Sequence, residues 1–142
     1  MITISRETDY AARVLLHLAL QGEGERTTAQ QIAQQRLIPK ALVRRVVTRL
    51  AAAGLIVTTR GSEGGIALAR PSSEISLLEV VEAMEGPVAL NQCVTEPGFC
   101  PLTPTCNVHG AWVHAHSVIR THLQGITFDQ LAGKKEESSW IH

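Results

Sequence analysis

Between Thr28 and Arg70 two short amphipathic helices, a glycine stop and a glycine-rich reversal follow one another, and few folds accept that order. Thr28-Ala-Gln-Gln31 has the form of a capping box, in which a Thr hydroxyl takes one free N–H and a Gln three residues on reaches back for another. It opens a predicted helix over Ala29–Gln35, with Ile32 and Ala33 turned inward. A second helix is expected from Leu37 to Leu50, with Pro39 near its first turn, where a missing N–H costs little. Leu42, Val43, Val46, Val47 and Leu50 recur at helical spacing as its apolar stripe. Lys40, Arg44 and Thr48 form one outer row, and Ala41, Arg45 and Arg49 the adjacent one. The helix continues through Ala51–Ala53 and stops at Gly54, a residue free to take the left-handed conformation that closes a helix. Leu55–Arg60 is β-branched and strand-like, Gly61-Ser-Glu-Gly-Gly65 is a turn, and Ile66–Arg70 returns as a second strand ahead of Pro71. Two helices joined by a tight turn, the second aliphatic inside and basic outside, make a helix-turn-helix, and the hairpin directly behind it makes a wing.

The charge pattern agrees. The formal net charge is zero, but Arg26–Ser62 contains seven bases (Arg26, Arg36, Lys40, Arg44, Arg45, Arg49, Arg60) and no acid. From Pro71 onward eight acids face three bases. Such segregation marks a basic binding face on one part of a chain and a different task for the other. Within a helix-turn-helix, Lys40, Arg44 and Arg45 are candidates for base edges, because the first turns of the second helix reach deepest into a major groove. Arg49 and Arg60 are expected on phosphates, with Thr28 and Ser62 as polar neighbours of the backbone.

The remaining pattern is helical at both ends. Ser5–Leu20 carries Tyr10, Val14, Leu15 and Leu18 at helical spacing, and Gln21–Arg26 reads as a loop. Ser76-Leu-Leu-Glu79 is a further capping box, starting a helix over Leu77–Glu85 that ends at Gly86-Pro87. A last long helix is expected over Asn107–Gln124, with Val108, Trp112, Ala115, Ile119, Leu123 and Ile126 recurring every three or four residues. That stripe suits a partner helix and points to a homodimer. The predicted architecture is mainly α with a small β-hairpin wing: a DNA-binding domain over residues 1–86, a loop over 87–106, a dimerisation helix over 107–133 and a polar tail over 134–142. No signal peptide and no run long enough to span a membrane is apparent, so a soluble cytoplasmic protein with no membrane partner is expected. No phosphate loop, nucleophile motif or paired catalytic carboxylates argue for an enzyme.

All three cysteines fall within residues 87–106, spaced Cys93-x6-Cys100-x5-Cys106 in a Pro/Gly-rich segment that is not an apolar stripe. Unstructured loops of this length tend to be functional. A disulfide in a reducing compartment is disfavoured and would leave one thiol over. Zinc sites commonly include a close C-x2-4-C pair, absent here, whereas thiolates spread over a flexible loop suit the larger body of an iron–sulfur cluster. A fourth ligand is open between His109, three residues after the third cysteine, and a carboxylate of the first helix, Asp9 or Glu7. His114, His116 and His122 have no motif and are read as surface residues.

Taken in order, several of these segments resemble the IscR/NsrR type of bacterial regulators, the Rrf2 family. They are Thr8-Asp-Tyr-Ala-Ala-Arg13, Gly54-Leu-Ile, Arg60-Gly-Ser-Glu-Gly-Gly65, Cys93…Cys100-Pro-Leu-Thr-Pro-Thr-Cys106 and Ile126-Thr-Phe-Asp-Gln-Leu131. The resemblance implies a homodimer with one winged helix-turn-helix per subunit, crossed C-terminal helices, a double-stranded DNA operator and a 2Fe-2S or 4Fe-4S cluster. Members use that cluster to sense nitric oxide, redox state, iron or iron–sulfur supply. Cys106-x2-His109 is similar to the IscR type, in which the matching histidine is a ligand. Thr8-Asp9-Tyr10 and the Leu-Thr-Pro-Thr-Cys run are closer to the NsrR type, in which the matching acid is a ligand.

Overall fold

A computed structural model describes residues 3–62 and 64–133. The expected tail over 134–142 lies outside the described residues. The order of elements is α1 (Arg6–Gln21), α2 (Ala29–Arg36), α3 (Lys40–Ala52), β1 (Ile56–Thr59), β2 (Gly65–Leu68), α4 (Leu77–Glu85), α5 (Gln92–Thr95), α6 (His109–Gly125) and α7 (Phe128–Gly133). Single 3-10 turns lie at Ser72–Glu74 and Thr103–Thr105.

Three helices of the head, α1, α2 and α4, start where a side chain takes a free amide. Ser5 accepts from the Thr8 amide, and both Thr28 and Ser76 form complete capping boxes, with Gln31 and Glu79. Caps of this kind contribute about 1 kcal/mol each. The second helix begins later than expected, because Pro39 sits at the cap and Leu37 occupies the left-handed region at φ 53°. That conformation lets the Leu37 and Ile38 amides both bond back to the Ala33 carbonyl, which closes α2 and turns the chain tightly into α3. Beyond Ala52, Gly54 at φ 76° ends α3 in the manner its sequence position predicts.

α1 is the centre of the head and packs on α2, α3, α4 and α7. Val14, Leu15 and Leu18 from α1 meet Val43, Val46 and Leu50 from α3, Ile32 from α2 and Val80 from α4 in one core. β1 and β2 pair antiparallel, Ile56 opposite Leu68 and Thr59 opposite Gly65. The hairpin is docked by a bridge from Thr27 to Ile66. Gly65 is needed there, since a Cβ would stand 2.8 Å from the Thr27 carbonyl oxygen.

The C-terminal region differs from one long stripe. α6 ends at Gly125, and Ile126 is extended and buried instead of continuing the helix. The Leu77 amide donates to the Ile126 carbonyl, Thr127 bridges Ser76, and the Phe128 amide donates to the Ile75 carbonyl. These bonds return the chain to the head, where α7 buries Phe128 completely against α1. In contrast, none of the residues of α6 is buried, and Val108, Trp112, Val113 and Val118 are exposed. Among the described residues α6 packs chiefly on α4 and α5, with an Arg120–Glu82 ion pair on the α4 side.

Candidate nucleic-acid interface and cysteine loop

The outer face of α3 carries the expected cations, but they are not equivalent. Lys40 and Arg44 are exposed and have no side-chain partner among the described residues. Arg45 is paired with Glu7 of α1 at 2.7 Å. Arg49 lies 3.4 Å from the other carboxylate oxygen of Glu7 and also donates to the Met84 carbonyl at the end of α4. The acid-free segment therefore receives a counter-ion from another element. Glu7, one of the carboxylates considered for a metal, is engaged with these arginines instead. Its only local signal is an acid in a first helical turn, which the helix dipole accounts for equally well.

The polar residues around this face are placed as follows. The Thr28 hydroxyl is occupied with the Gln31 amide as a cap. Arg60 and Ser62 are exposed at the end of β1 and in the turn of the hairpin. Arg26 reaches the Thr59 hydroxyl at the same end of the hairpin. The helix pair itself is pinned from behind by a contact with no sequence signature: the Arg36 guanidinium, on the last turn of α2, donates to His17 Nδ1 at 3.1 Å. His17 is 1 % exposed and its Nε2 has no partner. Burial, and then the positive Arg36, hold its pKa below the ordinary histidine value.

The first turn of α1 is also tied to the root of the cysteine loop. Glu85, the last residue of α4, accepts from the Ser5 amide at 2.7 Å and from the Thr8 hydroxyl at 2.8 Å. The Ser5 bond lowers the pKa of this carboxyl, and the hydroxyl adds to the effect. The cysteine segment starts at the next turn, Gly86-Pro87.

Within that segment Cys93 lies on α5, where its thiol donates to Asn91 Oδ1 at 3.2 Å. Cys100 is half-buried, and Cys106 is exposed after the 3-10 turn. All three are free thiols. His109 begins α6, its amide bonded to the Cys106 carbonyl and its Nδ1 buried without a partner. Asp9 is paired with Arg13 one turn along α1, at 2.5 Å. Its surroundings are a groove between α1, Leu77 and Val81 of α4, and Leu123 of α6. His114 and His122 are exposed and His116 half-buried, its Nδ1 also unpartnered. The donor set, three free thiols with an unpartnered imidazole nitrogen nearby, has the chemistry of an iron–sulfur ligand set. Its placement does not form a finished cage: among the described residues no three Cys, His, Asp or Glu side chains converge on one point.

A helix-turn-helix with a hairpin wing, backed by a C-terminal helix that the head leaves uncovered, defines the class of winged-helix transcription regulators. The chain belongs to the Rrf2 family, described as an iron-dependent transcriptional regulator, which it matches over residues 4–134. It is 31% identical over 139 residues to the protein aau3 of Rhizobium meliloti, covering 97% of this chain and 90% of that protein. Staphylococcus aureus CymR is 26% identical with a TM-score of 0.70, covering 93% of this chain and 99% of that one. CymR of B. subtilis, the global cysteine regulator, has a TM-score of 0.76 at 23% identity, covering 93% and 97%. IscR of T. potens has a TM-score of 0.69 at 22% identity, covering 92% and 86%. The last two likenesses carry the fold alone. No helix among the described residues is long and apolar enough to cross a membrane.

Proposed function

We propose that this chain is a homodimeric, cytoplasmic regulator that grips an operator through α3 and the wing and reads a signal through its cysteine loop. The observation that carries the DNA half is the pair of unpartnered cations, Lys40 and Arg44, on the outer face of a rigidly held α3. Cations left without counter-ions beside an aliphatic core are held ready for an anion, and a recognition helix offers them to base edges and phosphates together. Arg45, Arg49, Arg60, Thr28 and Ser62 flank them. Two such faces in a dimer would meet half-sites about 34–36 Å apart. Dimerisation is supported by α6, whose apolar residues the head does not cover.

The sensing half rests on Cys93, Cys100 and Cys106. We assign them an iron–sulfur cluster, 2Fe-2S or 4Fe-4S, with His109 or Asp9 as fourth ligand. The cluster supplies redox and nitric-oxide chemistry when bound. The chain supplies three free thiols and a loop rooted at Gly86, beside the Glu85 bonds to α1. An absorption spectrum with iron and acid-labile sulfide analysis after oxygen-free purification tests this. Brown protein with near-equal iron and sulfide supports the assignment, and colourless protein with equimolar zinc overturns it.

A further inference from the structure

DNA binding by α3 is the reading on which the following inference rests. We propose that Glu7 is an intramolecular latch on the recognition helix, its carboxylate holding in the free protein the place that a DNA phosphate takes on Arg45 in the complex. Binding is then an exchange of one anion for another at this residue, and the exchange lowers affinity for every duplex.

The geometry separates the two arginines that Glu7 holds. One carboxylate oxygen is 2.7 Å from an Arg45 nitrogen and the other 3.4 Å from an Arg49 nitrogen. Arg49 has a second anchor, the Met84 carbonyl, which fixes it to α4 whether or not Glu7 is present. Among the described residues Arg45 has Glu7 as its one partner, and 61 % of its side chain is exposed. It is the arginine free to exchange. Lys40 and Arg44, nearer the start of α3, are unlatched among the described residues. Glu7 itself is held in position, because the Ser5 amide and Thr8 hydroxyl on either side of it bond Glu85. Its side chain is 30 % exposed, so the displaced carboxylate has water to enter. Guanidinium groups accept carboxylate and phosphate oxygens by the same geometry, which makes the exchange chemically even.

An exposed ion pair of this kind shifts an equilibrium by about two- to fivefold, and a dimer breaks two. The test uses the full-length chain with a short random-sequence duplex at fixed salt, and elution from phosphocellulose as a second reading. Glu7→Gln removes the charge and keeps the shape. Glu7→Asp keeps the charge and the favourable helix start but shortens the reach. Both variants should bind the duplex about two- to fivefold more tightly per protomer and elute at higher salt. Adding Arg45→Ala should cancel the gain. If only Glu7→Gln gains, general repulsion between Glu7 and DNA explains it and the latch is overturned. A gain that survives Arg45→Ala overturns it equally. A parent that binds while both variants match it removes the latch alone. A parent that binds neither duplex nor phosphocellulose removes the DNA reading and the latch together.

Discussion

Replacing Phe128 by Ala tests whether the chain beyond α6 belongs to the head. Phe128 is 0 % exposed, on a six-residue helix too short to hold itself together. Removing most of a buried aromatic ring forfeits about 2–3 kcal/mol of transfer free energy, and an incompletely closed cavity adds about 1–2 kcal/mol. The expected loss is therefore about 3–5 kcal/mol, which for a domain of this size lowers the melting temperature by roughly 8–15 °C. Thermal and urea unfolding followed by circular dichroism would read it. Because Phe128 packs on α1 of its own chain, the loss should be the same at low and high protein concentration. A loss below about 1 kcal/mol would refute the docking of α7. A loss that vanished on dilution would mean that Phe128 packs on the partner instead.

Leu37→Asn should raise stability by about 0.5–1 kcal/mol, since Leu37 is 84 % exposed and held at φ 53°, which Asn tolerates better; unchanged or lower stability would show that the turn is not strained. His17 is buried neutral with its pKa depressed, so the unfolded chain takes up its proton first as pH falls. Its contribution is full above the ordinary value of 6.5 and is lost as pH falls below it, with a slope of at most about 1.4 kcal/mol per pH unit. Urea titrations between neutral and mildly acid pH should show that slope, and His17→Phe should remove it. Lys40→Ala and Arg44→Ala should each weaken operator binding by about 1–3 kcal/mol with no change in melting temperature. Arg49→Ala should instead lower the melting temperature, because the Met84 carbonyl loses its side-chain donor and Glu7 keeps only Arg45.

The head was legible in the sequence because its signals are local. The boxes at Thr28–Gln31 and Ser76–Glu79, the stripe Val43–Val46–Leu50 and the stop at Gly54 each depend on residues within a few positions. The contacts that reshape the site are not local. Glu7 meets Arg45 and Arg49 from 38 and 42 residues away, so two of the three arginines on the outer face of α3 are already paired. His17 and Arg36 meet across 19 residues, with nothing in either neighbourhood to announce it. The run to Ile126 kept helical periodicity through a break, because an extended residue returning to the core is apolar for the same reason as the next turn of a helix would be. For the cysteine loop, composition offers only the ligand types on which the proposed cluster rests. The positions of its thiols depend on backbone turns that composition does not encode.

The central claim joins the cysteine loop to DNA affinity. The most direct measurement compares, at one salt concentration and without oxygen, operator binding by protein reconstituted with iron and sulfide and by its Cys93→Ala, Cys100→Ala, Cys106→Ala triple variant. A coupling of about 1–3 kcal/mol predicts affinities that differ by roughly five- to a hundredfold. Equal affinities, with iron and sulfide bound to the parent, would contradict it.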